Sequence, residues 1–202
     1  MSSKKSQLKK AASFLYEVGT MRKIARAHRQ TLLTDDLSDN IASHSYRVTW
    51  IGWILAKEEK ANVEKAIKMC LAHDISEARS GDQSWVHKRY IKVFEKEIAA
   101  DQVNDLPIDR ELSEILKEYE GRKTKEALVA KDADLIDQIL LLKEYVVMGN
   151  KEAEIWLGGK RNEKGNKQFQ LLKTKSGKKL ANEILKQNPT DWWKNIWTEK
   201  RR

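Results

Sequence analysis

The chain has one cysteine, two prolines and nine glycines in 202 residues, and each scarcity removes a class of structure. A lone Cys70 excludes an internal disulfide and fits a reducing compartment. Its apolar neighbours make it a buried packing residue rather than a nucleophile. With prolines only at 107 and 189, long stretches run without a helix breaker. No apolar run approaches the ~20 residues that a membrane-spanning helix requires. Residues 1–10 are too polar for a secretory leader, and a cytoplasmic protein is the resulting expectation. There is no run of alternating apolar and polar residues long enough for a strand.

What is present is helical. Lys, Glu, Ala, Leu and Ile dominate, with apolar residues three and four apart, so the expected fold is all-α. The length suits one sizeable domain better than two. The spacing predicts a first helix over 7–28, with Ala11, Phe14, Leu15, Val18 and Met21 on one face and Gly19 as its weak point. After a polar loop whose Asp35, Asp36, Ser38 and Asp39 offer caps, a very apolar helix over 41–57 carries Val48, Trp50, Ile51, Trp53, Ile54 and Leu55. Such a helix is central or lies at a subunit contact, and it is expected to help bury a homodimer interface. Further helices are predicted over 63–78, 85–103, 110–120, 125–148 and 176–186. The helix over 85–103 is expected to turn Val86, Tyr90, Val93, Phe94 and Ile98 inward.

Charge divides the chain. Residues 151–202 hold 14 Lys plus Arg against 6 Asp plus Glu, so this segment carries +8 of the total +9. It reads as a basic, Trp-containing C-terminal extension to a first unit over 1–150. Lysines interleaved with Trp192, Trp193 and Trp197 could stack on nucleic-acid bases. A helix docked on the body is favoured, because three tryptophans are costly to leave in water.

Ionisable groups interrupt three of the apolar helices. Residues 70–82, Cys-Leu-Ala-His-Asp-Ile-Ser-Glu-Ala-Arg-Ser-Gly-Asp, end one apolar run with His73, Asp74, Glu77 and Asp82. His44 begins another helix in Ser-His-Ser-Tyr-Arg, and Asp134 lies in Lys-Asp-Ala-Asp-Leu-Ile-Asp within a third. Isolated acids and histidines are mostly solvated surface, but three helices each bringing one to a mainly apolar face leave charges that need compensation. A shared cation would provide it. Asp134 and Asp137, one turn apart, can point to one place.

The order His44, His73-Asp74, Asp134 resembles the metal site of the HD-domain phosphohydrolases, and within them the 5'-deoxynucleotidase branch. The sequence around His44, the run from Leu71 to Gly81-Asp82, the segment Glu118-Tyr119-Glu120 and Lys131-Asp132-Ala133-Asp134 are all similar to that branch, over residues 20–148. The resemblance implies a single helical bundle in which His44, His73, Asp74 and Asp134 bind one divalent ion, with Asp132 the rival for the fourth position. It implies that Arg26 meets the substrate phosphate, although a basic helix end favouring its own dipole explains Arg26 equally well. Where the family often has a tryptophan after that arginine, Ala27-His28-Arg29 stands here. Binuclear members have additional histidines, whereas His87 is the only other one between His73 and Asp134. One ion is therefore expected, with His87 at the surface or against substrate.

Two imidazoles and two carboxylates suit Mn, Co, Fe or Zn, and Mg is compatible. Such an ion lowers the pKa of water and offsets phosphoryl charge. Glu77 would orient or deprotonate the water, or protonate the leaving 5'-oxygen, and Asp82 would support the site or the sugar. The implied reaction converts deoxynucleoside 5'-monophosphates to deoxynucleosides and phosphate. The alternatives are a triphosphohydrolase, a cyclic-nucleotide or alarmone hydrolase, and a non-catalytic nucleic-acid binder using the basic tail.

Overall fold

Helices α3 (Ile41–Glu58), α4 (Val63–Ala72) and α8 (Lys125–Val147) form the centre of the computed structural model, which describes residues 4–159 and 166–196. Residues 160–165 of the basic extension, and Trp197, lie outside the described residues. The order is completed by α1 (Lys4–Gly19), α2 (Arg29–Leu32), α5 (Glu77–Ser80), α6 (Glu95–Val103), α7 (Asp109–Gly121), α9 (Lys151–Gly158), α10 (Lys167–Leu171) and α11 (Lys175–Lys186). Short 3-10 turns lie at Thr20–Lys23, His87–Arg89 and Asp191–Trp193. Among the described residues no strand forms, and the fold is all-α.

The centre is a continuous apolar seam. Val48, Ile51 and Leu55 of α3, Met69 and Cys70 of α4, and Ala133, Ile136 and Ile139 of α8 are buried together. Gly52 makes the α3–α4 approach possible, because a Cβ there would overlap Cys70 Sγ. The Cys70 thiol is buried and its pKa is pushed up to about 12 by that burial, as befits a packing residue. Polar caps fix the helix starts. Asn40 and Ser43 form a reciprocal capping box on α3, and Asn62 and Thr124 cap α4 and α8.

Three expected helices are shorter than their spacing suggests. The first stops at Gly19, and by Ile24 the backbone is extended. Arg26 N–H donates to Asp39 O and Ile41 N–H to Ile24 O, around an Ala25–Asn40 bridge. Pairing with the segment before α3 thus replaces helical bonds, and Arg26 does not sit at a helix end. The third ends at Ala72, as described below. The expected helix over 85–103 is only a 3-10 turn followed by α6. Tyr90 and Phe94 are exposed rather than inward. Aromatic and β-branched residues between 90 and 94 favour helix weakly, and no apolar wall covers them.

The C-terminal segment packs on the centre through α10 and α11. Leu172 and Ala181 are buried in the main core, with Leu180, Ile184 and Leu185 against it. Trp192 and Trp193 do not do this job, since both are exposed.

Candidate active site

His73 and Asp74 are adjacent in sequence, and on a continuous helix their side chains would diverge by ~100°. The chain avoids this by leaving the α-helix after Ala72. His73 Nδ1 donates to the carbonyl of Cys70 at 2.9 Å, and Ile75 N–H closes a tighter turn on Ala72 O. Both side chains then face one place, with His73 Nε2 and Asp74 Oδ2 3.1 Å apart. Glu77 follows at the start of α5, and Gly81, with φ +69°, turns the chain toward Asp82.

His44, one turn into α3, arrives from the opposite side. Its Nε2 lies 3.3 Å from His73 Nε2, 3.4 Å from Asp74 Oδ2 and 3.4 Å from Asp134 Oδ1. Donor atoms of His44, His73 and Asp134 all lie within 4.8 Å of one another. The tautomers follow from the partners. His44 Nδ1 is 2.6 Å from Asp137 Oδ2, and His73 Nδ1 meets a carbonyl. Both partners can only accept, so both Nδ1 atoms carry hydrogen and both Nε2 atoms turn toward the same small space. When both rings are neutral, two facing lone pairs beside two carboxylates repel one another until a proton or a cation separates them, and two nitrogens with two oxygens suit a divalent ion.

The surrounding charges have the same origin. Burial and Arg26 oppose a charge on His44, but hydrogen bonds to Asp134, Asp137 and Asp74 outweigh them and hold the imidazole protonated. A metal would compete with that proton. Burial also opposes ionisation of Asp74 and Asp134. The histidines, and for Asp134 foremost Lys131, nevertheless hold both carboxyls well below their usual range. Lys131 Nζ is 2.6 Å from Asp134 Oδ2. Glu77 goes the other way: burial, then Asp74 and Asp82, push its pKa up to about 9. Its Oε2 is buried without a hydrogen-bond partner, so a neutral carboxyl stands beside the cluster.

Arg26 is brought to the site by extended backbone. Its guanidinium lies 3.6 Å from Asp74 Oδ2 and 3.5 Å from Asp82 Oδ2. Burial disfavours its charge, yet Asp74, Asp82 and Asp134 foremost more than compensate. Nε and one terminal nitrogen, the atoms that face these two carboxylates, are buried without a hydrogen bond, so an anion would compete with Asp74 and Asp82 for them. Asp82 does more than expected: its Oδ2 also accepts the Ala27 N–H at 2.7 Å and so pins the Arg26 segment. His87 turns its Nδ1 to the Ser84 N–H at 3.2 Å, closing its own turn.

Arg47 carries no motif of its own in the sequence, and Tyr119 and Asp137 take separate tasks that the sequence does not show. Tyr119 packs edge-on against His73, with its centroid 5.5 Å away, and the Arg122 guanidinium lies over the phenol ring, 3.4 Å from its centroid. Asp137 and Arg47 stand behind His44. Their signal was in the pattern: each is three residues beyond a candidate ligand, on the same helical face. Asp132 does not face the histidines.

The HD-domain family model matches residues 20–188. The 5'-deoxynucleotidase HDDC2 of Dictyostelium discoideum is 32% identical over 122 residues, covering 54% of this chain and 64% of that protein's length. The Bos taurus protein of the same name is 28% identical over 150 residues, 70% of this chain and 71% of that one. Among solved structures, a predicted metal-dependent phosphohydrolase from Magnetospirillum magnetotacticum superposes with a TM-score of 0.66 at 24% identity, covering 90% of this chain and 92% of the other. That likeness is one of fold.

Proposed function

Because the chain belongs to the HD-domain family, we propose that it is a metal-dependent phosphohydrolase that converts deoxynucleoside 5'-monophosphates to deoxynucleosides and phosphate. The observation that carries the metal reading is the pair of imidazoles whose Nε2 atoms face one another at 3.3 Å. His44, His73, Asp74 and Asp134 would hold one divalent ion, of which Mn, Co, Fe and Zn fit the mixed donor set and Mg is compatible. When bound, it supplies a Lewis acid that acidifies water and offsets phosphoryl charge.

The remaining roles belong to the protein's own groups. Arg26, with buried donors not engaged in hydrogen bonds, binds the phosphate oxygens. Asp82 holds Arg26 and the Ala27 backbone in place. Glu77 keeps a proton at neutral pH and delivers it to the departing 5'-oxygen. Relatives named 5'-deoxynucleotidase support the substrate class.

The same reading includes a homodimer built on α3. Tyr46, Trp50 and Trp53 form an exposed ladder, with Trp50 and Trp53 stacked at 5.5 Å and Tyr46 edge-on to Trp50 at 6.3 Å. Exposed Ile54 extends it, and apolar ladders of this kind are characteristic of contact surfaces.

A panel of deoxy- and ribonucleoside mono- and triphosphates, incubated with Mn or Co, tests the substrate. Orthophosphate release from deoxynucleoside 5'-monophosphates is expected. Pyrophosphate or triphosphate release would place the chain among triphosphohydrolases instead.

A further inference from the structure

We infer that Asp137 and Arg47 are positioning residues for the metal site, acting through His44. The inference rests on the reading of His44 as a ligand. Asp137 is buried at 4% exposure on α8, one turn beyond Asp134, and its Oδ2 accepts from His44 Nδ1 at 2.6 Å. A carboxylate cannot donate, so this contact dictates which ring nitrogen faces the candidate ligands. It also removes the ring's freedom to flip, which would withdraw Nε2 from His73 and Asp134.

Asp137 is itself held. Its second oxygen, Oδ1, accepts from Arg47 Nε, and Arg47 NH2 reaches the Asp137 backbone carbonyl at 3.4 Å. The other arm of the guanidinium, NH1, donates to Glu144 Oε1 at 2.6 Å. Arg47 follows His44 by one turn on α3, and Asp137 and Glu144 follow Asp134 on α8. The two helices that bring candidate ligands together are therefore joined at the next turn by an ionic clamp.

The division of the Asp137 carboxylate decides between positioning and simple tethering. A tether between α3 and α8 would be served as well by an apolar pair, because buried ions lose much of their attraction to desolvation. Here one oxygen is given to the arginine and the other to the imidazole, so Arg47 fixes the plane of the carboxylate and the carboxylate fixes the ring. Glu144 completes the chain at its more exposed end.

The test is competition for Co between the full-length protein and a chromophoric chelator, together with the visible absorption of the Co-loaded protein and its melting temperature in EDTA. Parent, Asp137→Asn, Asp137→Ala, Arg47→Lys and Arg47→Met are compared. Asp137→Asn keeps the shape and serves if the alanine variant does not fold. Loss of an outer partner of a metal-binding histidine costs about 10- to 100-fold in metal affinity. That loss is expected for Asp137→Asn, with a shifted Co spectrum. Arg47→Met should lose part of the affinity, and Arg47→Lys should recover most of what Met loses. Lower melting with unchanged Co affinity and spectrum in Asp137→Asn would make the clamp a tether and overturn the inference alone. Failure of the parent to bind Co would overturn the ligand reading and this inference with it.

Discussion

Asp132 and Asp134 stand two residues apart on α8 and serve opposite faces of it. Two helical steps rotate a side chain by ~200°. Asp134 Oδ1 lies 3.4 Å from His44 Nε2, whereas Asp132 is fully buried and accepts hydrogen bonds from Lys173 N–H, Thr174 N–H and the Thr174 hydroxyl. One acid faces the candidate metal site and the other fastens the C-terminal segment.

The two alanine variants should therefore fail differently. Asp134→Ala should lose bound metal and activity while melting near the parent in EDTA. Asp132→Ala should bind metal but lose about 1–3 kcal/mol of stability, the usual cost of leaving buried donors without a partner. Metal analysis and thermal melting of both proteins check this, and loss of metal from Asp132→Ala alone would exchange the assignments.

The same latch bears on the tail. Gly177 fits against it so closely that a Cβ would lie 2.6 Å from Asp132 Oδ2 and 2.7 Å from Thr174 Oγ1. Because Ala181 and its apolar neighbours close the main core, truncation before Ser176 should lower the melting temperature. Unchanged melting with lost salt-sensitive nucleic-acid affinity would instead make the segment a binding module.

Glu77 sets a pH dependence whose sign is fixed. Its carboxyl titrates at about 9 in the fold and near ~4.3 in an unfolded chain. The contribution to stability is fully present below the unfolded value and is lost as pH rises through the folded one. In EDTA, the parent should therefore lose stability relative to Glu77→Gln from about pH 5 to about pH 9, and the variant should be more stable at the alkaline end. Activity should move oppositely, because the amide cannot deliver a proton. Parallel melting profiles across this range would show that Glu77 is not held neutral.

The aromatic ladder on α3 predicts an association state. The parent should sediment as a dimer of the 23.4 kDa chain, and Trp50→Glu with Trp53→Glu should sediment as a monomer that still binds metal. A monomeric parent would remove the assembly from the proposal.

What the sequence made legible follows from which forces act locally. The apolar period of α3, α4 and α8 reports burial directly, so those helices and His44, His73 and Asp134 could be placed from spacing and resemblance. The end of α4 could not, because it depends on His73 capturing the Cys70 carbonyl, a choice that is worthwhile only once His44 and Asp134 are opposite. The approach of Arg26 was similarly hidden. Its extended backbone exists because residues 38–41 supply partners, and helix periodicity does not record a bond between distant segments. The clamp of Arg47 on Asp137 looked like ordinary charge on two apolar helices until their faces met.

The most direct measurement is metal add-back to chelator-stripped protein, with orthophosphate release from a deoxynucleoside 5'-monophosphate followed as Mn or Co is titrated in. The site built by His44, His73, Asp74 and Asp134 predicts activity that is absent at the start, rises to a plateau at one ion per chain, and stays absent throughout in His44→Ala. Full activity in the stripped protein, or a normal titration in His44→Ala, would contradict it.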